Sequence, residues 1–449
     1  MRKTIYITLL ALLSGCGIYK PYSRPGTELP EQYREINTDD TTTLAALPWK
    51  ELFTDEHLQI LIETGLQQNT DLQVARLRVK EADALLLNAR LSYLPALSLS
   101  PEGGISSYNG TTSKTYNLAA SANWELDIFG KTTNAKRGAK AALLGSREYA
   151  QAVQTQLIAN IAGKYYTLLM LDRQLEIGEE TLQSWEKSIK VLEALKASGK
   201  ANDAAVLQAR ANRMTLESSV LTLRKNITDT ENALSVLLAL SPQEIERGRI
   251  ADVRFPDELK VGVPAQLLSN RPDVRQAEQN LAQAFYATNA ARASFYPSVN
   301  LSGSIGWSNN GGGVITNPGS WLMSAIGSLV QPLFNRGTNI ANLKIAKARQ
   351  EEAMLLFRQS LLDAGNEVNA ALTQWQTARQ QIEVCNQKID TLQEAVRKTE
   401  LLMRHSTSTY LEVLTAQQAL LDAEQQQVQY IFDCVQGVIN LYHALGGGA

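Results

Sequence analysis

The sequence predicts an α+β membrane protein made of two tandem structural repeats, each with two amphipathic β-strands and one long helical hairpin. Three observations carry this prediction: an internal duplication, two long tracts without proline, and short segments in which apolar and polar residues alternate. We expect the four strands of one chain to join those of two other copies in a trimeric twelve-stranded β-barrel, which a long α-helical tunnel continues.

The chain of 449 residues contains an internal duplication. The segment "DLQVARLRVKEADALLLNARLSYLPALSLS" begins at Asp71, and "DVRQAEQNLAQAFYATNAARASFYPSVNLS" begins at Asp273, 202 positions later. Pro95 matches Pro297 in the same register, and "ELDIFGK" matches "VQPLFNRG" after a small shift. We therefore expect each half to contain a helix, two strands, a very long helix and a long returning helix.

The first residues form a targeting segment. Arg2 and Lys3 precede a short apolar stretch that ends in "LSGC", a pattern that resembles the lipobox of bacterial lipoprotein signals. Residues 1–15 are then the signal peptide, and Cys16 is the lipidated first residue of the mature chain. The alternative is an ordinary secretory signal in which Cys16 is incidental. Gly17 follows, rather than the Asp that resembles an inner-membrane retention signal, and this favours the outer membrane.

Long helices are predicted in the two tracts that lack proline, because an interior proline costs a helix about 3 kcal/mol. The turns "SGKAND" and "HSTST" interrupt these tracts and predict hairpins. A helix of roughly 67 residues would be about 100 Å long, which is more than a globular core needs. The predicted helices are residues 131–197 and 203–240 in the first half, and 337–404 and about 410–445 in the second.

The strands are predicted within residues 94–129 and 297–334. In "YNLAASANWELDIF" the apolar residues, Leu118, Trp124 and Leu126 among them, alternate with small or polar ones, and in "SVNLSGSIGWS" Leu301 and Trp307 do the same. The fourth segment, "WLMSAIGSLVQPLF", is more uniformly apolar. Each pair of predicted strands therefore presents one apolar face and one polar face.

We expect the apolar face to contact outer-membrane lipid, because helices about 100 Å long cannot fold back over a small sheet. The polar residues, Glu125 and Asp127 among them, would then line a lumen. A bilayer does not tolerate open sheet edges, and four strands are too few to close a barrel. Pooling the strands of three chains gives twelve, which leaves room for a water-filled pore.

These elements divide the chain into five predicted parts. They are the signal peptide 1–15, an N-terminal anchored segment 16–54, a first repeat 55–240, a linker or equatorial segment 241–270, and a second repeat 271–449.

Composition argues against several other functions. The net charge of −2 gives no support to nucleic-acid binding, which needs a clustered basic surface. The three histidines are scattered, and no spacing of residues predicts a metal site, a nucleophilic triad or a phosphate-binding loop. We therefore expect neither an enzyme nor a cofactor. Cys385 and Cys434 could form a disulfide or remain free buried thiols.

Several segments resemble a known family. They are "CGIYKPYSRP", "SANWELDIFGK", "SNRPDVRQAEQNLAQAFYATNAARASFYPSVNLSGSIG", "QPLFNRG" and "TYLEVLTAQQALLDAEQQ". They resemble the outer-membrane factors, and more closely the TolC-like efflux lipoproteins that work with resistance-nodulation-division pumps. The resemblance implies a homotrimer whose barrel stands on a periplasmic helical tunnel, docked to a periplasmic adaptor (membrane fusion) protein and an inner-membrane efflux pump. The complex would pass drugs or other toxic compounds out of the cell.

The resemblance also implies roles for the hairpin tips. The two turns would contact the adaptor, and we assign this contact to Gly199, Lys200, Ser406 and Thr407. The family's returning helix usually reads "YLEVLDAQR", with an acidic ring and a locking Arg, but Thr415 and Gln418 occupy those positions here. Leu411 matches the family's apolar gate position, so Leu411, Thr415 and Gln418 are the candidate periplasmic gate.

Two alternatives remain open. One is an outer-membrane channel for type I protein secretion, although the lipobox favours efflux by resemblance. The other is a coiled-coil scaffold lipoprotein that opens no pore, although a scaffold has no use for amphipathic strands.

Overall fold

A computed structural model describes residues 19–26, 43–199, 201–255, 261, 267–309, 320–404 and 410–448. The secondary structure follows the predicted order in both halves. The first half contains α1 (Trp49–Leu52), α2 (Glu56–Gln68), α3 (Thr70–Leu91), β1 (Ala96–Tyr108), β2 (Thr111–Leu126), α4 (Lys131–Ala197) and α5 (Asp203–Leu237). The second half contains α6 (Leu267–Asn270), α7 (Pro272–Ala293), β3 (Ser298–Ser308), β4 (Ser320–Val330), α8 (Thr338–Arg404) and α9 (Tyr410–Ala444).

The duplication is exact in the lengths of three pairs of helices. Helices α3 and α7 have 22 residues each, α4 and α8 have 67 each, and α5 and α9 have 35 each. Equivalent residues lie 202 positions apart in α3 and α7, and 207 positions apart in the hairpin helices. This equivalence allows a residue in one half to be compared directly with its counterpart in the other.

The described residues form two compact units, and each takes segments from both halves. One unit consists of the described parts of Met1–Thr27, Arg76–Glu148 and Arg275–Ser360, and it contains the whole sheet. The other consists of the described parts of Glu28–Ala75, Tyr149–Val274 and Leu361–Ala449. Within the described residues, no helix is both long enough and apolar enough to cross a membrane.

The sheet has four antiparallel strands in the order β1-β2-β3-β4. Asn109 and Gly110 connect β1 to β2, and both have positive φ angles, 49° and 79°, as a two-residue hairpin turn requires. The pairing of β2 with β3 joins the two halves of the chain, with Leu118 opposite Trp307. An added Cβ at Gly306 would lie 2.1 Å from the carbonyl oxygen of Leu118, so this pairing depends on a glycine.

Three predicted boundaries need correction. Strand β2 ends at Leu126 instead of Phe129, because the carboxylate of Asp127 accepts hydrogen bonds from the backbone N–H groups of Thr132 and Thr133 and caps α4. The expected lumen-lining role of Asp127 is therefore wrong. Strand β4 ends at Val330 instead of Phe334. Helix α5 ends at Leu237, three residues before the predicted end, because Ala239 adopts a left-handed conformation with a φ angle of 55°.

The second of these units, which holds no strand of the sheet, contains a small apolar core contributed by the ends of both hairpins. Buried residues of α4 and α5 pack there with the first turns of α9; the cluster is Ile189, Leu192, Val206, Ala209, Tyr410 and Leu414. Cys385 is buried, its Sγ donates to the carbonyl oxygen of Ala423 at 3.4 Å, and Cys434 is half-buried. Both thiols are free, so the disulfide alternative is excluded.

An ion-pair network holds the start of the linker on the first hairpin. Arg247 donates to the carboxylates of Asp172 in α4 and Glu231 in α5, with shortest distances of 2.5 Å to each. Nearby, the hydroxyl of Tyr165 donates to Asp55 at 2.6 Å and accepts the backbone N–H of Gly248 at 3.0 Å. Sequence patterns alone gave no sign of these contacts.

Candidate functional site

The register of the sheet places the predicted apolar residues on one face. Directly opposite residues share a face of a sheet. Leu118 lies opposite Trp307, Trp124 lies opposite Leu301, and Leu126 lies opposite Val299. The same face includes Ile305 of β3 and continues across the outer strands with Leu97, Leu99, Ile105, Trp321, Met323 and Leu329. We call this surface the apolar face.

The apolar face is largely uncovered in the single chain. Leu97, Leu99, Ile105, Trp321 and Met323 are all exposed. A surface this apolar needs a partner, because soluble monomers rarely expose large contiguous apolar patches. Trp307 and Trp321 contact each other with ring centroids 4.8 Å apart.

The opposite face of the sheet is rich in serine. Ser98 and Ser121 pair across β1 and β2, with 2.7 Å between their Oγ atoms, and Ser304 and Ser324 pair across β3 and β4 at 2.8 Å. Asn117, Asn123, Glu125, Asn300 and Ser302 lie on the same face. Strand β4 also places Leu322, Ile326 and Val330 there, and this explains why its sequence looked uniformly apolar. The sheet therefore separates an apolar surface from a mainly polar one.

The N-terminal segment 19–26 lies along α7. Arg24 forms a two-pronged ion pair with Glu278, with N–O distances of 2.8 and 2.6 Å. The rings of Tyr22 and Phe285 meet edge to face at 5.8 Å, and burial raises the pKa of Tyr22 to about 12. Both partners belong to segments that carry the family resemblance, but their sequences do not show that the two segments meet.

The segment begins near the strands. An added Cβ at Gly130, between β2 and α4, would lie 3.5 Å from the ring of Tyr19. From Tyr19, near the end of β2, the segment runs antiparallel to α7 and reaches Glu278 at Arg24. The first described residue of the chain is therefore next to the base of the sheet.

The tip of the first hairpin is held by local contacts. Gly199 has a φ angle of 74°, which an L-amino acid rarely adopts, and its N–H donates to the carbonyl oxygen of Lys196. Asn202 caps α5 by accepting from the N–H of Ala205 at 2.8 Å, and Lys196 forms an ion pair with Asp203. The other predicted tip residues, Lys200, Ser406 and Thr407, lie outside the described residues.

The three candidate gate residues share one exposed stripe of α9. Leu411 and Thr415 are exposed and Gln418 is partly exposed, and their spacing of four and three residues places them on one side of a helix. The Thr415 hydroxyl donates to the carbonyl oxygen of Leu411 at 2.8 Å. The Gln418 amide donates to Asp422 at 2.9 Å, so one carboxylate continues this stripe.

The opposite side of the same turns of α9 is packed. Val413 and Leu414 are buried, and the amide of buried Gln417 donates to Glu400 of α8 at 3.1 Å. The packed side fixes the helix, so the stripe of Leu411, Thr415 and Gln418 is presented outward from a rigid element. Within the described residues, no group of His, Cys, Asp or Glu side chains is placed to hold a metal ion.

Comparisons with known proteins identify the family. The family described as outer membrane efflux protein matches residues 61–240 and 263–447. CusC of Escherichia coli strain K12, described as a cation efflux system protein, is 30% identical over 97% of each chain. SilC of Salmonella typhimurium, described as a probable outer membrane lipoprotein, is 30% identical over 99% of this chain and 98% of its own.

Solved structures agree with the sequence comparison. A crystal structure of CusC has a TM-score of 0.87 and 29% identity, and covers 96% of this chain and 100% of its own. The open-state MtrE outer membrane channel of Neisseria gonorrhoeae has a TM-score of 0.88 at 26% identity, over 96% of this chain and 98% of its own. The fold, the two-faced sheet and the matched residues lead to one conclusion: the chain belongs to the outer membrane efflux protein family.

Proposed function

We propose that three copies of this chain form the outer-membrane exit channel of a tripartite efflux system. The observation that carries the proposal is the apolar face, which runs across all four strands, while the other side carries mainly serine, asparagine and glutamate apart from Leu322, Ile326 and Val330 of β4. A lipid-facing surface backed by a polar lumen has this pattern. The channel would conduct its cargo passively, because the inner-membrane pump supplies the energy.

The edges of the sheet support closure between copies. Strands β1 and β4 are its outer strands, and the number of strands is even. Strand β4 of one copy can therefore pair antiparallel with β1 of the next, and the alternation is preserved around a ring. Three copies supply twelve strands, which is within the range of closed membrane barrels.

Lipidation at Cys16 fits the position of the N-terminal segment. Cys16 lies three positions before Tyr19, so the two Cα atoms can be at most about 11 Å apart. Tyr19 lies next to Gly130 at the end of β2. A lipid anchor on Cys16 would thus stay within reach of the bilayer that the sheet enters, while the helical hairpins extend into the periplasm.

The partners follow from the family. CusC is named a cation efflux system protein, and SrpC of Pseudomonas putida, which is 28% identical over 99% of this chain and 98% of its own, is named a solvent efflux pump outer membrane protein. We propose a periplasmic adaptor and an inner-membrane pump as partners here, with the hairpin tips at Gly199, Lys200, Ser406 and Thr407 as the adaptor contact. Leu411, Thr415 and Gln418 would narrow the channel near that end. Drugs, solvents or metal ions would be the cargo class.

The two faces of β3 provide the test. Leu301→Arg places a charge on the apolar face, whereas Ser302→Arg places the same charge one residue away on the polar face. A charge at the bilayer midplane costs roughly 2–4 kcal/mol per copy, and a trimer pays it three times. We expect Leu301→Arg to abolish heat-modifiable trimers in outer-membrane fractions, and Ser302→Arg to leave them intact. Equal loss in both variants would refute the assignment of the faces.

A further inference from the structure

Linker residues 250–255 and the second hairpin together form a pocket of about 190 Å³, which we call the linker pocket. The residues that line it belong to one compact unit. We propose that the linker pocket binds a small aromatic carboxylate, with the ring among apolar side chains and the carboxylate on the guanidinium of Arg379. The site lies within a single chain, so this proposal goes beyond the trimeric channel and does not depend on it.

The wall of the linker pocket is mainly apolar. Phe255 of the linker and Trp375 of α8 supply two aromatic rings, and the rest of the wall is isoleucine and valine except for Arg379 and Cys434. An apolar cavity of about 150 Å³ is large enough to bind benzene. The linker pocket therefore has room for one aromatic ring with a small substituent, whereas drug-sized ligands need about 300 Å³ or more.

The charge of the linker pocket is positive, because Arg379 is the charged residue among the described residues that line it. Its guanidinium lies over the ring of Trp375, with Cζ 5.0 Å from the ring centroid. Burial raises the pKa of the Cys434 thiol, and the charge of Arg379 opposes that rise, so this charge acts inside the pocket. With five donors in one plane, the guanidinium can bind both oxygens of a carboxylate in addition to the interactions that Arg379 already has.

The first hairpin binds a cation at the equivalent position. Arg379 corresponds to Asp172, 207 positions earlier in the sequence. Val438, which also lines the pocket, corresponds in the same way to Glu231. Asp172 and Glu231 are the two carboxylates that bind Arg247 of the linker. In the second half a guanidinium and an apolar side chain replace these carboxylates, so the complementary ligand is an anion with an apolar body.

The linker pocket lies beside the contact between the linker and the first hairpin. Phe255 lines the pocket, and its ring centroid is 6.0 Å from that of Tyr166 in α4. Arg247 attaches the preceding part of the linker to the same hairpin. A bound ring that packs on Phe255 and Trp375 therefore adds a contact between the linker and the second hairpin.

Protection of Cys434 from a thiol reagent tests the site, because this thiol lines the pocket and is free. The full-length lipoprotein with Cys385→Ala is treated with methyl methanethiosulfonate, a small uncharged reagent, and mass spectrometry of the peptide that contains Cys434 follows the rate. We expect benzoate to bind with a dissociation constant in the millimolar range, which its roughly nine non-hydrogen atoms allow. At about ten times that concentration it should slow the modification about tenfold.

Two further ligands separate the ring from the charge. Benzyl alcohol has the ring without the charge, and acetate has the charge without the ring. We expect each to need about tenfold more than benzoate for the same protection of Cys434, because each loses one of the two contacts. Equal protection by acetate or by benzyl alcohol would overturn the assigned class of ligand.

Arg379→Gln tests the guanidinium, and because Arg379 is exposed the variant should fold. In isothermal titration calorimetry we expect it to weaken benzoate binding about tenfold and to leave the weak binding of benzyl alcohol unchanged. Arg397→Gln removes the same charge about 27 Å farther along α8 and should change neither affinity. These measurements do not involve conduction, so the channel proposal is tested separately. Unchanged benzoate affinity in Arg379→Gln, or no benzoate binding to the native protein by either method, would overturn the proposed site.

Discussion

The C-terminal ends of α5 and α9 have the same backbone conformation but different side chains. Helix α5 is followed by Ala239 with a φ angle of 55°, and α9 by Gly446 with a φ angle of 88°. In each case the N–H of that residue and of the next one bond back to the last turn: Ala239 to Val236, Leu240 to Ser235, Gly446 to His443 and Gly447 to Tyr442. Both ends are Schellman motifs, but only one has the glycine that this motif usually carries.

A side-chain hydrogen bond to the last helical carbonyl occurs at both of these ends, but its donor is neutral in the first half and charged in the second. The amide of Asn69 donates to the carbonyl oxygen of Leu237 at 2.9 Å. Its equivalent, Arg271, donates to the carbonyl oxygen of Ala444 at 3.0 Å, and also pairs with Asp273 and Glu367 at 2.6 Å each. In both halves a side chain therefore satisfies the same backbone carbonyl at the helix end, and the second half uses a charged side chain with two carboxylate partners.

The largest effect is expected at Gly446. A Cβ there would lie 2.5 Å from the carbonyl oxygen of Asn270, and the left-handed conformation disfavours alanine as well. Overpacking and backbone strain together predict that Gly446→Ala lowers the free energy of unfolding by about 3 kcal/mol. Guanidinium titration in detergent, followed by helical circular dichroism, measures it. Gly365→Ala, at a helical glycine with no atom within 4 Å of the added Cβ, should be neutral or stabilising.

The next largest effect is expected when the side-chain donors to these carbonyls, Arg271 and Asn69, are removed. Arg271 is 4% exposed, and its removal leaves the carbonyl of Ala444 without this donor. Because Asp273 and Glu367 are nearly half exposed, water can replace part of what they lose, and we expect Arg271→Ala to cost about 2 kcal/mol. Asn69→Ala removes the neutral hydrogen bond to Leu237 and the cap of α3, in which Asn69 Oδ1 accepts from the N–H of Leu72 at 2.9 Å, and should cost about 1 kcal/mol. Equal costs in the same titration would show that the added ion pairs contribute nothing.

The smallest effect is a gain at Ala239. An alanine in the left-handed region destabilises the folded state by about 1–2 kcal/mol. A glycine avoids this strain, but it stabilises the unfolded chain through its greater conformational entropy by about 0.4–1 kcal/mol. Ala239→Gly should therefore raise the free energy of unfolding by about 0.5 kcal/mol. Ala233→Gly, inside α5, should lower it by about 1 kcal/mol. A loss at both positions would mean that Ala239 is not strained.

The sequence predicted the elements whose signal is repeated along many residues. Strand β3, Ser298–Ser308, lies within the predicted strand region 297–334 and coincides with the segment "SVNLSGSIGWS", which alternates throughout. Helix α4 was predicted as residues 131–197, because the absence of proline extends over its whole length. The end of α5 was missed because Ala239 carries no glycine signal for the turn. Local exceptions such as this depend on one residue's conformation, which composition does not reveal.

The candidate site was predictable only in part. The alternation gave the five apolar strand residues, and the register confirms that they share a face. The contacts of Arg24 with Glu278, and of Arg247 with Asp172 and Glu231, join residues far apart in sequence. No periodic pattern marks such pairs, because a single ion pair leaves no repeat. The gate residues and the hairpin tips stay predictions.

The most direct test of the proposed channel is single-channel recording of the purified lipoprotein in planar bilayers. We expect discrete conductance steps from the native trimer, and larger steps from Leu411→Ser, because a smaller polar side chain widens an apolar constriction. Thr415→Ala should leave cation selectivity nearly unchanged, since it removes no charge. Steps that Leu411→Ser does not change, or a channel that high salt alone opens, would contradict the apolar gate. Bilayers that contain inserted trimers and show no conductance would contradict the channel itself.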